Sequence, residues 1–135
     1  IGNDKLNMLR HARFLAPEGK LEEVMREHRS ILELKFELCY KRFGEQLSDI
    51  PGVSWTHPNG GYFITLYTPN GTAKRVVGLA KEAGLVVTPA GSGFPYNVDP
   101  DDRTIRIAPS YPDLDELDAA LHLLCICVKL AAACK

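Results

Sequence analysis

The segment GYFITLY, residues 61–67, is the stretch that most limits how this chain can fold. In a strand, successive side chains point to opposite faces. Tyr62, Ile64 and Leu66 then share one face, and Phe63, Thr65 and Tyr67 share the other. Large side chains on both faces exclude a sheet with one fully wetted side. Asn59-Gly60, just upstream, signals a hairpin, because the primed turns need positive φ. This predicts a partner strand near 53–56. A second segment, Thr104–Ala108, repeats the constraint with a charge in it. Ile105 and Ile107 point one way and Arg106 points the other.

Helical spacing surrounds these strands. Residues 6–15 place Leu6, Leu9 and Phe14 on one side of a short helix, and APEG at 16–19 ends it. From about Lys20 to Ser48 the apolar positions Leu21, Val24, Ile31, Phe36, Cys39, Phe43 and Leu47 recur at the three-to-four spacing of one buried face. A third helix is expected over Thr72–Glu82, closed at Ala83-Gly84. LVVT at 85–88 reads as a short strand, followed by a long loop from Pro89 to Asp102. Asp113 and Glu116 have the spacing of a capping box and open a last helix through Val128. The element order is α α β β α β β α. It predicts an α/β (α+β) two-layer sandwich, with a small mixed sheet and helices packed on one face.

With 135 residues the chain is long enough for one core. A net charge of −1 gives no reason to expect nucleic acid or an anionic membrane as partner. No apolar run reaches the length of a membrane span. Cys39, Cys125, Cys127 and Cys134 form no CxxC pair and read as free thiols in a reducing, cytoplasmic setting. His11, His28, His57 and His122 are scattered, so no metal site is expected. The chain begins at Ile1 with no signal peptide, and is expected to be a piece of something larger or a processed product.

Arg106 has two readings on pattern alone. It can be a surface arginine paired with Asp99, Asp101 or Asp102. It can also be an anion anchor, since a guanidinium presents a planar fork that matches a carboxylate. Its face also carries half of the aromatic-rich strand, so another domain or subunit is expected to cover it. Gly91-Ser92-Gly93 lacks the rest of a dinucleotide fingerprint, and neither a Walker A motif nor a GxSxG elbow is present.

Taken together, GNDKLNMLRHARFL, HRSILELKF (28–36), PNGGYFITL (58–66) and above all AGLVVTPAGSGFPYNVDPDDRTIRIAPSYP (83–112) resemble the C-terminal part of a fold-type I, pyridoxal-phosphate-dependent aminotransferase. Within the class I/II superfamily they are most similar to the bacterial aspartate-aminotransferase-like group. The resemblance implies that residues 1–16 are a connecting helix from a large domain and 17–135 the small domain. It implies that Arg106 binds the substrate α-carboxylate, with Gly61 and Tyr62 nearby and the 89–102 loop at the mouth of the site. It further implies pyridoxal 5'-phosphate in the full-length enzyme, held by a large domain that would precede residue 1, along with the imine-forming lysine. No lysine of this chain is assigned to catalysis, and no metal is implied. Expected partners are the large domain, amino acid and 2-oxo acid substrates, and a second copy in a homodimer. The isolated domain is expected to be inactive. A freestanding module binding small carboxylates, such as an amino acid sensor, is the alternative reading, and a ligand-free interaction domain is a third.

Overall fold

Asp4 opens the first helix, its carboxylate accepting from the amides of Leu6 and Asn7 and so satisfying two of the free N–H groups at a helix start. This helix, α1, spans Lys5–Leu15 and buries none of its residues. The computed structural model describes residues 2–134. It divides into two compact units, Ile1–Leu34 and Lys35–Lys135. The boundary falls inside α2, Lys20–Leu47. The first unit holds α1 and the start of α2, with Leu6, Met8, Phe14 and Met25 exposed.

The second unit contains the core. α2 contributes Cys39, Phe43 and Leu47, at the expected four-residue spacing, whereas Leu21 and Ile31, expected on the same buried face, are exposed. β1 is Ser54–Trp55, β2 is Ile64–Tyr67, α3 is Ala73–Glu82, β3 is Thr104–Ile107 and α4 is Leu114–Ala133. The sheet order is β1-β2-β3, with both pairings antiparallel. Ile64 lies opposite Ile107 and Leu66 opposite Ile105. These four side chains are buried on the helix-packed face. Each contributes about 1.5–3 kcal/mol of burial. α4 starts as the capping spacing predicts, with the Asp113 carboxylate accepting from the Glu116 amide at 2.8 Å.

The fold class is as expected, an α/β layer structure with helices against a small sheet. Three details differ. Residues 85–88 form no strand, and the sheet is antiparallel rather than mixed. Asn59-Gly60 is not a two-residue primed turn. The strands pair only at 54–55 and 64–67, and of residues 59–61 only Gly61 has positive φ, at 87°. Thr56 carries the pairing on by a side chain, since its Oγ1 accepts from the Thr65 amide. Cys125 and Cys127 are both buried free thiols, on different sides of α4. α4 packs against α3 and also bonds to α2 through Arg42 and Asp118, so more than one of its sides is covered.

Candidate functional site

β3 carries the candidate anchor. Its register puts Arg106 opposite Thr65 and Thr104 opposite Tyr67, on the face away from the buried isoleucines. Arg106 is half-buried. No carboxylate among the described residues pairs with it. Its Nε is closed off from solvent with no hydrogen-bond partner. The guanidinium carbon lies 4.6 Å from the centre of the Phe63 ring. That is within the reach of a cation–π contact.

The nearby acids do other work. Asp99 is only 7 % exposed. Its carboxylate accepts from the amides of Asp101, Arg103 and Thr104 at 2.8–3.1 Å. Burial alone would raise its pKa, but these amide bonds outweigh it and hold the carboxyl below the ordinary aspartate range. Asp102 accepts from the Lys74 amide at the start of α3. Asp99 and Asp102 are thus engaged by backbone amides, and among the described residues no salt bridge joins Arg106 to these two or to Asp101. Instead Asp99 fastens the 89–102 loop to the start of β3, and Asp102 fastens its end to the start of α3.

That loop is built from successive tight turns. The bonds Ser92 N–H to Pro89 O, Phe94 N–H to Gly91 O, Asn97 N–H to Phe94 O and Val98 N–H to Pro95 O follow one another. Tyr96 and Asn97 both have positive φ, and Tyr96 is 96 % exposed. The residues after β3 are also held. Lys35 Nζ, on α2, donates to the carbonyls of Ser110 at 2.7 Å and Pro112 at 2.5 Å. Both ends of the arginine-bearing strand are thus fixed by polar contacts.

Gly61 and Tyr62 sit in the loop that delivers Phe63 to the sheet, and Tyr62 is 55 % exposed. Phe63 was not singled out by the sequence reading, although alternation places it on the arginine's face. A ring series runs beside the same loop, with Tyr40 against His57 at 4.4 Å and Phe43 against Trp55 at 5.6 Å between centroids. A groove of about 540 Å³ lined by Asp49, Ile50, Pro51, Pro69 and Lys129 does not include any of the candidate residues. Among the described residues no group of His, Cys, Asp or Glu is arranged to hold a metal, and no helix is long and apolar enough to cross a membrane.

The chain as a whole has counterparts in known proteins. The aspartate amino-transferase family model matches residues 1–135. The chain belongs to the aspartate aminotransferase family. A provisionally named aminotransferase of Mycolicibacterium smegmatis is 46 % identical over 132 residues, covering 98 % of this chain and 31 % of that protein. A solved aspartate transaminase from Corynebacterium glutamicum superposes with a TM-score of 0.91 at 43 % identity, covering 98 % of this family member and 31 % of that chain. A provisionally named aminotransferase structure from Corynebacterium diphtheriae gives 0.93 at 43 % identity, covering 99 % and 33 %. This aspartate aminotransferase family chain therefore spans about a third of the length of the relatives it matches.

Proposed function

We propose that this chain is the small-domain part of a pyridoxal-phosphate-dependent amino acid:2-oxo acid aminotransferase of the aspartate aminotransferase type, and that Arg106 holds the substrate α-carboxylate. In this reading residues 1–16 connect to a large domain and 17–135 form the small domain. Gly61 and Tyr62 lie beside the bound substrate. The partners are the large domain, amino and 2-oxo acids, and a second copy in a homodimer. The observation that carries the reading is Arg106 itself, half-buried on the sheet face without an acid partner among the described residues. The greater length of the relatives favours the enzyme over a freestanding carboxylate sensor.

When bound, pyridoxal phosphate supplies the electron sink for bond cleavage at the substrate Cα. The described residues do not fit the task of holding it. Lys35 is engaged by the Ser110 and Pro112 carbonyls, Lys20 by Glu23, and Lys5, Lys41, Lys74, Lys81 and Lys129 are exposed. The work of this chain is orientation. A bidentate grip on the carboxylate fixes rotation of the substrate about the bond to its Cα, so that the bond to be broken is presented in one direction. A charge-assisted contact of this kind contributes roughly 1.5–3 kcal/mol when shielded from water.

Arg106→Lys keeps the charge and removes the fork. In the full-length protein it should lower kcat/KM for an amino acid substrate by at least about tenfold, or about 1.4 kcal/mol. Half-reaction spectra, following conversion of the pyridoxal form to the pyridoxamine form, would check the chemistry. Unchanged kinetics in the variant would remove Arg106 from the site.

A further inference from the structure

No acid among the described residues pairs with Arg106, so another contact is needed to set the plane of its fork. The strand fixes only its Cα and Cβ, and the long side chain beyond them has several free torsions. Phe63 is the group in place. Its ring lies against the guanidinium at 4.6 Å, yet 47 % of the residue remains exposed. The ring therefore covers one side of the guanidinium, and Arg106 itself stays only half-buried. Thr65 stands directly across from Arg106 in the ladder but forms no hydrogen bond to it. The buried Nε has no partner that could act as an alternative orienting contact.

We infer that Phe63 is a positioning residue for carboxylate recognition: its ring holds the Arg106 guanidinium flat, so that a carboxylate meets the fork edge-on. This rests on the carboxylate-gripping reading of Arg106. Stacking fits that purpose better than an ion pair would. A paired acid would compete with the incoming carboxylate for the same N–H groups, whereas an aromatic face uses none of them. The ring also narrows the approach, because a ligand that stacked on that side of the guanidinium would collide with it. The ligand class is a planar carboxylate approaching in the plane of the fork.

The test uses succinate as a probe in the full-length protein. Succinate has carboxylates and no amine, so its competition against the amino substrate reports the carboxylate grip without the imine chemistry. Phe63→Leu keeps an apolar side chain and loses the aromatic face. It should raise the succinate inhibition constant by between about threefold and thirtyfold, the size of a partly desolvated cation–π contact. The melting temperature should move little, because the position is half exposed. Phe63→Tyr should restore the inhibition constant to within about twofold of the starting value, the spread of an ordinary exposed substitution. Arg106→Lys serves as the control. If it weakens succinate while Phe63→Leu does not, the positioning role is wrong and the carboxylate grip stands. If neither variant weakens succinate, the grip itself is wrong. Equal losses in Phe63→Leu and Phe63→Tyr would also overturn the inference, since the tyrosine ring keeps the stack.

Discussion

Gly91 offers a sharp test of how the loop beside β3 is built. It is buried at φ +80°. A Cβ placed there would stand 2.6 Å from the Asn97 carbonyl oxygen, 3.1 Å from its carbon and 3.3 Å from the Asp99 amide nitrogen. All three are backbone atoms, and they cannot swing aside as a side-chain tip can. Two costs therefore add in Gly91→Ala. The left-handed backbone is worth about 1–2 kcal/mol for a residue with a Cβ. The collision forces a backbone shift, an overpacking cost of about 1–3 kcal/mol. The loop has little freedom to yield, because Asp99 is fixed by three amides and Tyr96 and Asn97 already have positive φ. The expected loss is about 2–5 kcal/mol. Two other glycines separate the terms. Gly84, after α3, has φ +89° but nothing within 4 Å of a built Cβ, so its alanine variant should lose only the backbone part, about 1–2 kcal/mol. Gly93 has neither feature, and its alanine variant should stay within about 0.5 kcal/mol. Urea denaturation of the three variants, with unchanged slopes, measures each loss. A Gly91→Ala midpoint no lower than that of Gly84→Ala would refute the backbone collision.

Asp99 should shape the acid limb of stability. Its folded pKa is depressed, so its contribution is fully present above the unfolded value near 3.9 and is lost as pH falls through the folded value. Stability measured between pH 7 and 2 should fall below about pH 4, and Asp99→Asn should show a shallower fall there. An unchanged acid slope in that variant would count against the role. The thiols should separate sharply. Burial pushes Cys39 up to about 12, with Cys125 nearby adding to it, and burial pushes Cys125 up to about 11. Cys134 is exposed. Thiol titration of the native chain at pH 8 should show Cys134 reacting first, and Cys39 and Cys125 only on unfolding.

The helices were legible because their signals are local. The four-residue spacing of Cys39, Phe43 and Leu47 marks α2, and Asp113 with Glu116 marks the start of α4. The direction of Arg106 was legible too, because a two-residue period with isoleucines on either side leaves it one face. What could not be read depends on partners far away in sequence. Leu85–Thr88 has strand-forming residues, but a strand exists only where another chain segment offers a ladder. The Asn59-Gly60 turn signal was overridden when the Thr56 hydroxyl took up the Thr65 amide and ended regular pairing early. The Phe63 stack required the β2–β3 register, which no single segment encodes. The engagement of Asp99 with backbone amides, rather than with Arg106, is likewise a matter of folded geometry.

The sealed, unsatisfied Nε of Arg106 sets folding against recognition. A buried donor without an acceptor is a standing penalty of about 1–3 kcal/mol. An unbranched apolar side chain such as methionine would escape it and could pack along the same strand. Screening for heat resistance alone would thus drive this position away from arginine, and under the proposed function the hardier protein would have given up its carboxylate grip.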